Sequence, residues 1–229
     1  MSNDILVVTR ALTVDFSCGM TFLRALDNVD ITIQRGEFVS LVGVSGSGKT
    51  TLLNAIGGLI VPTSGSIIFN SICFDSMNEE ERTIFRRNHI GFIFQNYNLI
   101  PSLNIFQNIC FSAQLSQKSI TAQQVEKIAQ QLGIEDKLTQ MPAELSGGQQ
   151  QRAAIARAML ASPSLLLADE PTGSLDSVNG RSIMQLLRTA VSENNMSVLM
   201  ATHNEEFALQ TDRIIHIEDG KIIAEESKK

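Results

Sequence analysis

The octapeptide Gly43-Val44-Ser45-Gly46-Ser47-Gly48-Lys49-Thr50 constrains this chain more than any other segment. It follows an apolar, branched run at residues 38–42 and leads into a helical pattern at residues 49–56. That is the setting in which G-x-x-x-x-G-K-[ST] binds phosphate. The glycines let successive backbone N–H groups curl around an anion, and the helix N-terminus adds partial positive charge. Lys49 then reaches the β- and γ-phosphates, and the Thr50 hydroxyl can ligate Mg²⁺. A chain built on this loop must supply a strand, a helix and a buried sheet to hold it.

The remaining pattern supplies them. Runs at 38–42, 90–94, 165–168 and 198–201 are short, nearly unbroken and rich in branched residues, which predicts central parallel strands buried on both faces. Helical stripes at 79–87, 122–132 and 149–161 lie between them. The first third alternates with period two at 12–16, 29–33 and 67–69, predicting half-buried antiparallel strands, and Asp219-Gly220 predicts a late hairpin. The expected fold is α/β: a three-layer core with an antiparallel β subdomain. Residues 96–144 carry no buried-strand run and predict an inserted helical lobe.

At 229 residues there is material for one large domain or two small ones, and a net charge of −6 disfavours nucleic acid as partner. No apolar stretch approaches the ~20 residues of a membrane span, and no export signal is legible at the N-terminus. Cys18, Cys73 and Cys110 are odd in number and far apart, so they are assigned to packing in a reducing compartment. His89 and His216 are assigned structural roles.

Two further segments carry chemistry. The strand ending in Asp169-Glu170 places two carboxylates where an unpaired charge is costly. Asp169 suits a Mg²⁺ position, and Glu170 is placed to take a proton from attacking water. Leu145-Ser146-Gly147-Gly148-Gln149 is a capping box by local rules, yet its two glycines weaken a first helical turn and expose N–H groups to an anion.

Together, Leu145–Gln149, the loop at Gly43–Thr50 and the Asp169-Glu170 pair resemble the ATP-binding subunits of ABC transporters, over essentially the whole chain. The resemblance implies a RecA-like phosphate-loop core, residues 1–95 and 163–229, and a helical subdomain at residues 96–162. It implies ATP and Mg²⁺ as ligands, with Gly43, Ser45, Gly46, Ser47, Gly48, Lys49, Thr50 and Thr51 around the phosphates. It implies that Ser146, Gly147, Gly148 and Gln149 reach the ATP of a partner copy, so that two chains close head to tail. Gln95 then touches Mg²⁺ and water, and His203 bonds the γ-phosphate. Ser174-Leu175-Asp176 crosses the dimer interface, Asp176 otherwise being a helix cap. Phe16 stacks on adenine, with Phe22 or a core role for Phe16 as the alternatives.

Finer stretches, 56–59, 90–101, 149–152 and 167–173, resemble the branch serving macrolide efflux, lipoprotein release, antimicrobial-peptide resistance and cell-division permeases. The expected partners are a second copy and an integral membrane permease, at the cytoplasmic face of the membrane. The permease groove is expected to be lined by Gln95, Tyr97, Leu99, Ile100, Leu103 and Phe106. A soluble ATPase of the same family is the alternative, against which the 49 residues between Gln95 and Leu145 leave no room for a long coiled coil.

Overall fold

The computed structural model describes residues 4–19, 21–173 and 175–228, so Ser174, the first three residues and the side chain of Cys18 lie outside it. The strands are β1 (Ile5–Cys18), β2 (Thr21–Val29), β3 (Thr32–Gln34), β4 (Phe38–Val42), β5 (Ser64–Phe69), β6 (Ile72–Cys73), β7 (Ile90–Ile93), β8 (Leu165–Asp169), β9 (Ser197–Thr202), β10 (Arg213–Glu218) and β11 (Lys221–Ser227). The α-helices are α1 (Lys49–Ile56), α2 (Glu79–His89), α3 (Ile105–Leu115), α4 (Ala122–Gln131), α5 (Gly147–Leu160), α6 (Ser177–Asn194) and α7 (Glu205–Ala208).

One sheet is antiparallel, β2-β1-β5-β6 with β3 also on β1; the other runs β11-β10-β4-β9-β8-β7 and is parallel except at the β10–β11 hairpin. Every residue of β4 and β9 is buried, as strands covered on both faces require. Val198 and Met200 of β9 face one apolar cluster, with α3, α5 and α6; Leu199 and Ala201 face the other, with α1 and the antiparallel sheet. The layers predicted from the sequence are therefore present.

Several boundaries differ for local reasons. The run at 29–33 is not one strand: β2 ends at Val29 and β3 begins at Thr32. Between them the Asp30 carboxylate accepts from the backbone N–H of Ala11, which sits at φ +46°, so a side chain replaces a ladder partner at a bulge of β1. β2 carries no alternation because its first four residues are exposed. Helix α5 starts at Gly147 rather than Gln149 because Ser146 caps it: Ser146 Oγ accepts from Gln149 N–H at 3.4 Å and Gln149 Oε1 from Ser146 N–H at 3.0 Å. Asp219 and Gly220 take φ +46° and +76°, the left-handed pair of a tight hairpin turn. Cys110 is buried; Cys73 is half-buried, its thiol 3.2 Å from the Asp75 carboxylate. His89 packs on Phe69 and Phe85, and His216 lies 3.2 Å from Glu226.

Because β4, β7, β8 and β9 are parallel neighbours, their carboxyl ends share one edge of the sheet, where open α/β folds place ligands. The phosphate loop follows β4, Gln95 follows β7, Asp169 closes β8 and His203 follows β9. Residues as far apart as Val44 and His203 are thereby gathered from four separate segments.

Candidate nucleotide site

A cavity of about 680 Å³ opens at that edge, lined by Ser45, Gly46, Gly48, Lys49, Thr50 and Thr51 from the loop, with Gln95, Asp169, Glu170 and His203 opposite. Phe16, Leu23, Arg24 and Ala25 from the β1–β2 hairpin close one side. Phe22, the alternative to Phe16, is 77% exposed and does not line it.

Gly48 sits at φ +106°, and a Cβ there would lie 2.7 Å from the Ala25 carbonyl; one on Gly43 would lie 2.3 Å from the Ile217 carbonyl. Both positions therefore require glycine. Gly43 and Ser47 stand behind the cavity wall, and the Ser47 hydroxyl is buried with no partner. Lys49 Nζ donates to the carbonyls of Gly43 and Val44, each at 2.8 Å, which stretches its amine across the mouth of the loop. The Thr50 hydroxyl donates to Asp169 Oδ2 at 2.9 Å. A hydroxyl, a carboxylate and the Gln95 amide oxygen around one cavity form an oxygen donor set of the kind Mg²⁺ takes.

Glu170 holds φ +47°, an uncommon backbone for a residue with a side chain, with a cost of order 1–3 kcal/mol. The turn aims its carboxylate at His203: Oε1 lies 2.9 Å from His203 Nδ1, while Oε2 is buried without a partner. A carboxyl oxygen left without a donor is free to accept a proton from a water in the cavity.

Ser146, Gly147, Gly148, Gln149 and Asp176 do not line this cavity. Asp176 caps α6, accepting from the N–H groups of Val178 and Asn179; the Asn179 backbone bond foremost holds its carboxyl below the usual range. Inside the chain, a Cβ on Gly148 would meet Leu175 and Asn179 only at an ordinary 3.7 Å. On Gly147 it would meet Tyr97 Oη at 3.0 Å.

The expected permease groove is only partly as described above. Leu99 and Phe106 turn inward onto the core, whereas Ile100 lines an apolar cavity of about 300 Å³ with Leu59, Phe92, Phe94, Phe111 and Leu115. Fully buried Asn108 makes the difference: its amide accepts from Ile100 N–H and donates to the carbonyls of Ile100, Leu103 and Asn104, which fixes the direction of the segment. Sequence reasoning passed over Asn108. Its only signal was one amide on the apolar stripe Ile105-Ile109-Ala113.

The family model described as ABC transporter matches residues 26–173. This chain belongs to the ABC transporter family. Among its relatives, the lipoprotein-releasing system ATP-binding protein LolD of Acinetobacter baylyi is 40% identical over 221 residues, 95% of this chain and 97% of that one. The macrolide export ATP-binding/permease protein MacB of Campylobacter jejuni is 42% identical over 206 residues, 89% of this chain; the match spans only 32% of MacB. A dimeric ATP-binding cassette, solved in a post-hydrolysis state with ADP and Pi, superposes with a TM-score of 0.93 at 37% identity, covering 98% of this chain and 99% of that one. The chain is thus an ABC cassette of the LolD- and MacB-like branch, an ATPase whose cofactor is Mg²⁺. No helix among its described residues is long and apolar enough to cross a membrane.

Burial, foremost, and the neighbouring Glu170 raise the Asp169 carboxyl above its usual range, against the Thr50 hydrogen bond and Lys49. A carboxyl raised by folding favours the native state when protonated, and this contribution is lost as pH rises through the raised value. Asp169→Asn keeps the acceptor for Thr50 and removes that loss. The variant is expected to melt higher than the parent near pH 7, each kcal/mol being worth about 2–4 °C in a chain of this size, with the gap closing on acidification. Its Mg²⁺-dependent hydrolysis should be lost. Calorimetry from pH 4 to 8 checks this; a variant that melts lower at pH 7 contradicts the desolvation argument.

Proposed function

We propose that this cassette is the ATP-hydrolysing subunit of a transporter of the lipoprotein-releasing or macrolide-export kind, seated at the cytoplasmic face of the membrane on a separate permease. The observation that carries the reading is the incompleteness of the site. Of the residues expected to act within the chain, Phe16, Ser45, Gly46, Gly48, Lys49, Thr50, Thr51, Gln95, Asp169, Glu170 and His203 line one cavity, with Gly43 and Ser47 behind its wall, while Ser146–Gln149 lie outside it, and Gly148 has no neighbour in its own chain that requires glycine. A second copy placed head to tail brings those N–H groups to the γ-phosphate, which makes the working unit a homodimer around two ATP molecules.

Within each half, Phe16 supplies a face for adenine and the loop Gly43–Thr51 holds the phosphates. Thr50, Asp169 and Gln95 would hold Mg²⁺, which would supply positive charge against that of the phosphates. Glu170 takes a proton from the attacking water, and His203, bonded to Glu170, meets the γ-phosphate. Asp176, with Leu175, faces the partner across the interface. Residues 96–162 act as the helical unit that carries Ser146, and the apolar cavity beside Ile100 receives the permease.

Phosphate release by the purified chain, with and without the membrane fraction that co-isolates with it, tests the reading. Hydrolysis well above that of Lys49→Ala and co-isolation with an integral membrane protein are the expected results. A chain fully active in solution and never membrane-associated overturns it in favour of a soluble ATPase.

A further inference from the structure

Arg157 is 7% exposed near the end of α5, and among the described residues no carboxylate pairs with it. A buried guanidinium without a counter-charge is costly, so its hydrogen bonds must be ones the fold needs. They go to two successive backbone carbonyls: Nη1 donates to Asn98 O at 2.5 Å and Nη2 to Tyr97 O at 2.8 Å. Tyr97 and Asn98 stand at φ +60° and +49°, two left-handed residues in a row, a turn that costs energy and persists only where neighbours enforce it.

The same helix holds Tyr97 a second time. Its hydroxyl lies where a side chain on Gly147 would begin, 3.0 Å from that Cβ position, at the opposite end of α5. The ten residue steps from Gly147 to Arg157 span about 15 Å of helix. Helical side chains lean toward the N-terminus, so Arg157 reaches back along α5 to meet the backbone of Tyr97 while the ring runs on to Gly147. One residue is thus braced along most of the helix. Gln95, two positions before it, lines the nucleotide cavity, and Ser146, one position before Gly147, caps the helix.

We propose that Arg157 is a positioning residue that sets the distance between Gln95 and the start of α5 through the Tyr97–Asn98 turn. The group that reads nucleotide within the chain and the group offered to the partner's nucleotide then move as one body. Arg157 also lines the apolar cavity beside Ile100, so a partner seated there presses on the same brace. The inference rests on the role given above to Gln95 and Ser146.

The test uses the full chain assembled with its membrane partner. Arg157→Lys keeps the charge, but one ammonium cannot reproduce a planar fork across two carbonyls. Since a misplacement of ~1 Å costs up to ~100-fold, kcat should fall about 10- to 100-fold. KM for ATP should stay within about twofold, because ground-state binding is untouched. Amide exchange over residues 95–100 should accelerate while that of α1 does not. Tyr97→Ala, which removes the ring from Gly147 and leaves the carbonyls, should give the same split. The double variant should be no worse than the worse single, as for two ends of one device. Unchanged kcat, a kcat loss that comes only with matching losses of ATP affinity and melting temperature, or losses that multiply in the double variant would each overturn the proposal. If Arg157→Lys does not accumulate as folded protein, Tyr97→Ala decides alone on the same split. Failure of the underlying site reading shows separately: Gln95→Ala would then hydrolyse ATP as fast as the parent, whatever Arg157 variants do.

Discussion

Glu170→Gln is expected to stop turnover and leave a dimer that cannot let go of ATP. The substitution keeps the shape of the side chain and an amide oxygen for the His203 contact, but removes the one carboxylate oxygen that, among the described residues, is buried with no donor. General-base assistance is worth about 10²–10⁴ in rate, so steady-state hydrolysis should fall by that factor. ATP affinity should hold, since Lys49, Thr50 and the loop N–H groups are untouched. With the γ-phosphate intact, the two halves stay closed. Size-exclusion chromatography should show a dimer with ATP and a monomer with ADP, and single-turnover phosphate release should confirm the chemical block. Unchanged steady-state hydrolysis in the assembled complex would remove Glu170 from the role of base.

What could be foreseen of this molecule follows how locally each feature is encoded. Strands β4, β8 and β9 were legible because burial on both faces demands apolar runs, and the phosphate loop because Gly43 and Gly48 tolerate no other residue. β2 was not, because an edge strand with four exposed residues at its start has no alternation to read. The break between β2 and β3 depends on Asp30 meeting Ala11, nineteen positions away, which no window of neighbouring residues contains. The site divides in the same way. Phe16, Gln95, Asp169, Glu170 and His203 were named one by one from strand ends and family likeness; the parallel sheet brings the last four to one cavity, and the antiparallel β1–β2 hairpin adds Phe16 at its side. Asn108 and Arg157 escaped notice because their partners are backbone groups, which leave no trace in the identity of the residues that own them.

Gly148→Asp separates folding from assembly, with effects of opposite sign. In the isolated chain the new Cβ finds ordinary contacts at 3.7 Å, and Gly148 is not among the glycines at positive φ. An acidic side chain in the first turn of α5 is favoured by the helix dipole by about 0.3–1 kcal/mol, and replacing glycine adds a gain of similar sign. The melting temperature should therefore rise slightly. Monomer ATP affinity should not change, because the residue does not line its own chain's cavity. In the proposed head-to-tail dimer the same carboxylate would meet the γ-phosphate bound by the partner, where like charges within ~4 Å cost about 4 kcal/mol at an effective dielectric of 20. Two such contacts per dimer should abolish ATP-driven association and lower hydrolysis by at least ~100-fold. Gly148→Ala serves as the comparison, with the added Cβ but no charge, and should lose far less. A Gly148→Asp chain that still dimerises on ATP in the Glu170→Gln background would show that this helix end does not face the partner's nucleotide.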